Sequence, residues 1–307
     1  MDEPERARLL ESLAATPERL KAALAGVPKR ILRWTPAPGK WSIHEIVCHL
    51  RDMERDAYLA RYQRILAEDN PSLPDIDGDR YALERDYHAM KLGEVVRDWV
   101  RLRKEGLRLL GKVKGDRWQR VGAHETIGPL SVETLLRRHV IGNDEVHLEQ
   151  IEAAKRRFEV LARLQASPAA LAVATRGLSE EALRRRSSPG KWSIVEIACH
   201  LRDVERLFVE RFTKIAHQER PSLWMMDNDR VAEARRYVDA EFDAVVREWK
   251  RLRGDTLVLL RALPHAAWQR TGLHPKRGEV TIEQLVSVLA DHDRSHIDRT
   301  RGIRQDG

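Results

Sequence analysis

The chain has 307 residues, which is longer than a typical single domain, so two domains of ordinary size are the first expectation. Charged residues make up 34% and hydrophobic residues 42%, a balance that argues against a disordered protein and favours amphipathic helices. The net charge of +7 comes with no nucleic-acid motif, and no apolar run reaches the roughly 20 residues of a membrane span, so neither partner is expected.

Apolar residues recur at helical spacing, and no alternating strand pattern is found, so the prediction is an all-α fold. Thr16-Pro17 predicts a restart or a kink in the first helix. Ser42 with Glu45 forms a capping-box pattern at the start of the second helix, and similar patterns begin at Ser193 and Thr281. The four main helices of the first half are predicted at about 6–25, 42–69, 78–110 and 131–156.

The second half of the chain repeats the first. Residues 39–55 and 190–206 are identical at fourteen of seventeen positions. Trp99 recurs as Trp249 and Trp118 as Trp268, which is typical of side chains that anchor a core. The join has no glycine- or proline-rich linker, so the copies are expected to pack closely. The repeat therefore predicts two domains, 1–156 and 157–307, each a four-helix bundle.

The N-terminus and the two cysteines both bear on the cellular location of the protein. The first residues are acidic and no apolar stretch follows them, so no secretory signal is expected. Cys48 and Cys199 occupy matching places in the two copies, each before a histidine, which argues against a disulfide framework and favours small buried residues over reactive thiols. The predicted location is the cytoplasm.

Three histidines of the second copy form a metal-site pattern. His292 and His296 are one turn apart on the last helix and continue the apolar stripe of Leu285 and Leu289, so they should face the interior. His200 lies on or beside the inward stripe of its helix. Three imidazoles suit a divalent cation, with zinc or nickel the best matches, and they leave coordination positions open for water or substrate. Hydrogen-bonded core histidines are the alternative interpretation for each residue taken singly.

The first copy holds a damaged version of this site. His49 corresponds to His200 and His147 to His296, but Asn143 stands in place of His292. An amide oxygen is a poor ligand for zinc or nickel, so weak or no metal binding is expected there. The acids Asp144 and Asp293, each next to a site position, could hold a ligating imidazole from behind or could face solvent.

The run Trp192-Ser193-Ile194 with His200 and the late pair His292 and His296 resembles the DinB/YfiT-like superfamily. The same run recurs at residues 41–43, so the resemblance covers nearly the whole chain. It implies two tandem DinB-like four-helix bundles, a three-histidine site for nickel, zinc or a similar ion, and often a homodimer. By analogy, the fused copies could form an internal pseudo-dimer within a monomer, and a further oligomer stays open.

Two functional hypotheses follow. The first is a metal-dependent enzyme, either a hydrolase or a thiol-dependent S-transferase, whose active site lies in the second copy and whose substrate is a small molecule. Some members of the family that the chain resembles use a low-molecular-weight thiol, so such a thiol is a candidate cosubstrate here. The second is a non-catalytic metal- or ligand-binding stress protein, since no unambiguous general acid or base accompanies the triad. In both, the catalytic residues remain unassigned.

Overall fold

The computed structural model describes residues 1–36 and 39–305 and divides into two compact units, Met1–Lys155 and Arg156–Gly307. Helix predominates in both units, which confirms the all-α class. The division lies one residue before the predicted domain boundary. None of the helices in these two stretches combines the length and apolar composition that crossing a membrane requires.

The first unit is built on four long helical stretches. Two of them contain a π-helical segment, Met53–Leu59 in the second stretch and Arg138–Glu145 in the fourth. Short 3₁₀ turns cover Tyr87–Ala89 and Gly115–Gln119. The α-helices are α1 Glu3–Leu24, α2 Lys29–Leu32, α3 Ile43–Asp52, α4 Ala60–Ala67, α5 Gly78–Glu84, α6 Leu92–Leu110, α7 Val132–Arg137 and α8 Val146–Thr175.

The second unit repeats this order with uninterrupted long helices. Its first long helix is the C-terminal part of α8, so the prediction that the fourth helix ends near residue 156 was wrong. The reason is the absence of any glycine or proline at the join, which lets the helix continue. The remaining helices are α9 Glu180–Arg184, α10 Ile194–His217, α11 Asn228–Ala234, α12 Phe242–Ala262 and α13 Ile282–Gln305, with 3₁₀ turns at Tyr237–Asp239 and His265–Gln269.

Short strands accompany each bundle, which corrects the expectation of none. In the first unit, β1 Ser72–Leu73 runs parallel to β2 Val121–His124, which pairs antiparallel with β3 Gly128–Ser131. In the second unit, β4 Thr271–His274 pairs antiparallel with β5 Gly278–Thr281. Strands of two to four residues are too short to show a period-two pattern in sequence.

Helix starts were predicted better than helix interruptions. The capping boxes at Ser42 and Ser193 are formed, and Thr281 exchanges hydrogen bonds with Gln284 in the same way. The predicted helix at 78–110 is wrong, because the backbone turns through a left-handed residue, Asp86 with φ of 44°, between α5 and α6. Arg236 makes the same turn in the second unit.

The two π-helical segments mark one-residue insertions in the first unit. The separation between equivalent residues falls from 151 at His49 and His200 to 150 at Arg61 and Arg211, across Met53–Leu59. It falls again, from 150 at Leu135 and Leu285 to 149 at His147 and His296, across Arg138–Glu145. A helix absorbs one extra residue as a π-turn without losing its direction. The second unit, which lacks both residues, is regular α-helix in both places.

A buried arginine joins the four long helices of each unit. Arg253, on α12, contacts Glu205 on α10 and Asp293 on α13, the latter at 2.8 Å. Its Nη1 also donates to the carbonyl oxygen of Leu164 on α8 at 2.6 Å. In the first unit Arg103 makes the equivalent contacts, with Glu54, Asp144 and the Leu13 carbonyl.

Proline supplies the free carbonyl in both units. Pro168 lies four residues after Leu164 and has no N–H with which to bond that carbonyl, which therefore accepts from the arginine. Pro17 and Leu13 repeat this arrangement. The expected restart at Pro17 is thus not seen, because the arginine replaces the missing helical hydrogen bond and the helix continues through the proline.

The four tryptophans that were predicted to anchor the cores are buried. Trp99 and Trp249 are fully buried, and Trp118 and Trp268 nearly so. Each of the first two lies under the guanidinium of the buried arginine of its unit, at 4.7 and 5.4 Å from ring centroid to Cζ. These tryptophans therefore anchor the two bundles.

Candidate metal centre

The three predicted histidines of the second unit come together. The capping box at Ser193 starts α10 so that His200 follows within about two turns and faces inward. His292 and His296 are adjacent on one face of α13. One nitrogen from each of the three rings lies within 4.8 Å of the others. The ring centroids are 4.5 to 5.0 Å apart, the 4.5 Å contact being that between His292 and His296.

The distances fit a shared cation. Nε2 of His200 lies 3.0 Å from Nε2 of His292. Ligand nitrogens about 2.0 to 2.1 Å from one ion lie about 3 to 3.5 Å from each other, so this pair is already at ligand spacing. The Nδ1 atoms of all three rings are buried and have no hydrogen-bond partner among the described residues. Donors that are all imidazole nitrogen suit zinc, nickel and related divalent ions.

Burial keeps these imidazoles neutral. It is the largest cause that lowers the pKa of His200 to about 2, of His292 to about 3 and of His296 to about 4. Like charge between the rings adds to the effect for His200 and His292. A neutral imidazole carries the lone pair that a metal needs, so the site requires no deprotonation near neutral pH.

A cavity of about 440 Å³ opens onto the triad. Trp192 forms one wall, with its ring centroid 4.8 Å from that of His200. Lys191 and Arg299 are exposed cations at the cavity, and Asp229 is an exposed acid there. Asn228, the first residue of α11, also lines it. The three histidines therefore lie at a solvent-accessible pocket with a polar, mainly cationic rim.

The sequence interpretation missed most of this lining. Arg299 follows His296 by three residues, a spacing that places both on one helix face and could have identified it. Asn228 and Asp229 reach the cavity through the fold of the segment before α11, for which the sequence has no local signal. Asp227 caps that helix by accepting from the backbone N–H of Arg230.

The expected support of the triad by Asp293 is not present. Asp293 is fully buried, and its Oδ2 accepts from Arg253 at 2.8 Å, while its Oδ1 has no partner in the described chain. Asp144 likewise pairs with Arg103 and makes one long contact, 3.4 Å, with the amide of Asn143. Both acids face the buried arginines, because these are the cations within reach. The alternative of a solvent-facing acid is also wrong.

The first unit brings together its own three positions in a different way. His49 and His147 have ring centroids 4.9 Å apart, close to the 4.8 Å between His200 and His296. Nδ1 of His147 lies 2.9 Å from Oε1 of Gln150, which fixes its proton on Nδ1. In the second unit Arg299 stands in place of Gln150, and it cannot accept this bond.

A glycine closes against His49. A Cβ at Gly78 would lie 2.7 Å from Cε1 of His49, so only glycine fits there. The second unit has Asn228 at this place, with a side chain that lines the cavity instead. The first site thus differs from the second by the packing of α5 against a histidine as well as by Asn143.

Both cysteines are buried and are expected to be unreactive in the folded protein. Burial raises the pKa of Cys199 to about 11 and that of Cys48 to about 12. At pH 8 iodoacetamide should therefore modify neither thiol in the native protein and both in denaturant, and modification should begin only as the pH rises toward these values. Mass spectrometry of the alkylated protein checks this, and rapid native labelling at pH 8 would contradict it.

Two known proteins are similar to part of this chain. YuaE of Bacillus subtilis (strain 168), an uncharacterized protein, is 22% identical over 142 residues, which span 42% of this chain and 88% of YuaE. The solved structure of YfiT from Bacillus subtilis, described as a probable metal-dependent hydrolase with an unusual four-helix bundle topology, is 20% identical, and its alignment covers 52% of this chain and 90% of YfiT with a TM-score of 0.49.

The sequence model of the DinB superfamily matches the chain twice, at residues 12–151 and at residues 163–298. The two matches fall on the two structural units and together account for most of the chain. The chain therefore belongs to the DinB superfamily, as a tandem duplication of its domain.

Proposed function

We propose that the second unit is a metal-dependent enzyme that holds a divalent ion on His200, His292 and His296 and acts on a small molecule. The observation that carries this is the cluster of three neutral, adjacent imidazoles at an accessible cavity. The Nε2 atoms of His200 and His292 are 3.0 Å apart, the spacing of two ligands of one ion, and neutral rings offer their lone pairs to it.

A divalent ion supplies Lewis-acid activation of water or of a thiol near neutral pH. The chain's own residues would do the rest. Trp192 covers one side of the histidines and limits access of bulk water. Lys191 and Arg299 attract an anionic substrate or thiolate toward the cavity, and Asp229 is the candidate proton acceptor among the lining residues.

Two reaction types are consistent with this arrangement. Hydrolysis needs an activated water and a proton acceptor, and the proposed site offers a place for each. Transfer of a low-molecular-weight thiol to an electrophile needs a stabilised thiolate, which the cationic rim favours. Zinc and nickel are the proposed ions, since both suit an all-imidazole donor set.

The test combines metal content with turnover. The purified protein is loaded with zinc or with nickel, and bound metal is measured by elemental analysis at pH 7.5. The loaded protein is then assayed for hydrolysis of carboxyl and phosphate esters and for conjugation of small thiols to chlorodinitrobenzene. We expect one metal per chain and turnover in one of these assays.

The matched variants are His200→Ala and His49→Ala. The first should abolish both metal binding and turnover, and the second, its equivalent in the first unit, should leave both unchanged. No bound metal would overturn the proposal. Metal bound by the triad without turnover would instead support the second hypothesis, a non-catalytic metal-binding protein.

A further inference from the structure

The first unit has a cavity that is distinct from its damaged histidine site. It has a volume of about 200 Å³. Apolar side chains line one part of it, and Tyr58, Arg61, Asp75, His124 and Arg138 supply the polar part. Pockets for drug-sized ligands occupy about 300 to 1,000 Å³, so this one suits a smaller molecule.

Both one-residue insertions of the first unit lie at this cavity. Met53 and Tyr58 come from the first π-helical segment, and Arg138 and Gly142 from the second. π-Turns inside α-helices occur frequently at functional sites, because they re-aim side chains that a regular helix would place elsewhere. Two such insertions, on two helices of one bundle and at one cavity, indicate a built feature of this unit.

Arg61 brings to the cavity a buried charge that has no ion pair among the described residues. The residue is 8% exposed, and its Nη2 donates to the carbonyl oxygen of Pro74 at 2.7 Å. Its Nε is buried and has no partner, and no carboxylate of the described residues lies within ion-pair distance. Burial lowers the pKa of this guanidinium. Buried charges in proteins are normally paired at contact distance, whereas Asp75, the acid of this cavity, acts on Arg61 only from beyond ion-pair distance.

His124 presents a second donor beside it. Its Nδ1 accepts from the backbone N–H of Thr126 at 3.3 Å, so the proton of the neutral ring lies on Nε2. The nearest acid, Asp75, is 3.8 Å from that nitrogen, beyond hydrogen-bond distance. The Asp75 carboxylate already accepts from the Ile76 backbone and from the Thr126 hydroxyl. The Nε2–H is therefore free for a ligand.

Stacked rings and a hydrogen-bonded network form the wall behind these donors. The Tyr58 ring stacks on His139 with centroids 3.8 Å apart and planes 2° from parallel. His139 in turn contacts Glu54 at 2.8 Å and Arg103 at 3.1 Å. Within that network Arg103 pairs with Glu54 and Asp144, so these two acids are already engaged. In the second unit, Phe208 and Leu289 replace Tyr58 and His139, so the wall belongs to the first unit alone.

We propose that this cavity binds a small carboxylate with an apolar body, its carboxylate held by Arg61, His124 and Arg138. A guanidinium matches the planar carboxylate in geometry and charge, and the apolar walls accommodate the rest of the molecule. Arg138 is exposed at the cavity and has no ion pair in the described chain, so it supplies charge at the entrance. This site is independent of the metal centre.

Calorimetric titration with benzoate and isovalerate tests the proposal, with benzyl alcohol as the uncharged control. The His292→Ala protein is used so that a carboxylate bound at the triad cannot contribute. We expect one benzoate per chain and binding of benzyl alcohol that is at least about tenfold weaker, because a hydrogen bond to a charged group is lost. No binding of either acid at millimolar concentration, or equal binding of the alcohol, would overturn the proposal.

Three variants locate the site. Arg138→Met removes an exposed charge, and Gly142→Leu fills the cavity where an added Cβ meets no atom within 4 Å, so both should fold normally. Each should weaken benzoate binding at least about tenfold. The control is Arg211→Met in the second unit, at the equivalent of the proposed carboxylate ligand Arg61, which should leave binding unchanged. Unaltered binding in the first two variants, or loss in the third, would place the ligand elsewhere and reject the proposal.

Discussion

Exchanging one residue between the two sites is expected to move the metal. His292→Asn should lower the metal affinity of the second unit by at least about a hundredfold, since loss of a supporting partner alone lowers metal affinity 10- to 100-fold and loss of a ligand is more severe. Asn143→His should add a third imidazole to His49 and His147, whose rings are already 4.9 Å apart. The two variants therefore change metal stoichiometry in opposite directions.

Elemental analysis after dialysis against excess zinc or nickel measures this result. The expected metal content is one per chain in the unaltered protein, none in His292→Asn and two in Asn143→His. His147→Ala is the control that should leave the content at one. Retention of metal by His292→Asn would show that the triad is not the binding site. An unchanged content in Asn143→His would show that the contact of His49 with Gly78, and not Asn143 alone, disables the first site.

Replacing the buried arginine of the second unit should be the most destabilising single change in that bundle. Arg253→Met removes the partner of two fully buried acids, Glu205 and Asp293, and leaves the Leu164 carbonyl without a donor. Removing one member of a buried ion pair usually lowers stability by about 3 to 5 kcal/mol, because an uncompensated charge remains. The same reasoning applies to Arg103 in the first unit.

Urea unfolding followed by circular dichroism measures the loss. Arg251→Met is the matched control, because Arg251 pairs with Asp255 on the exposed face of the same helix and should change stability by less than about 1 kcal/mol. Adding Glu205→Gln and Asp293→Asn to Arg253→Met should recover part of the loss, since the buried charges are then absent. A small effect of Arg253→Met, or no recovery, would contradict this account of the network.

The sequence was sufficient for the helical class, the duplication and the convergence of the histidines. Each depends on a local or periodic signal: capping boxes at Ser42 and Ser193, a repeat of high identity, and ligands spaced by one turn on an apolar stripe. These signals can be read from the sequence without knowing how the helices pack. The predicted metal ligands therefore lie together in the structure.

The roles of the buried acids could not be predicted in this way. Asp293 is next to a histidine in sequence, but its side chain points to Arg253, which comes from another helix forty residues earlier. Only the tertiary packing decides which cation an acid meets. The sequence did contain a signal for this network. Three charged residues lie within apolar stripes in both copies: Arg103, Glu54 and Asp144 in the first, and Arg253, Glu205 and Asp293 in the second.

The π-helical segments show a second limit of prediction from the sequence. One extra residue in a repeat is visible by counting, yet the count does not say whether the helix ends, bends or absorbs it. The structure shows that both helices absorb it, and that Tyr58 and Arg138 reach the same cavity as a result. Sequence comparison of the two copies locates such a feature but does not describe it.

The proline beneath each buried arginine bears on how the bundles open. One guanidinium contacts all four long helices of the second unit, and Pro168 keeps the Leu164 carbonyl available to it. A helix that detaches on its own must therefore break a contact with Arg253, and detachment of α12 itself removes the partner that the other three helices share. Local fraying is thereby penalised, and backbone amides deep in the four helices would exchange with solvent at a common rate, as one cooperative block.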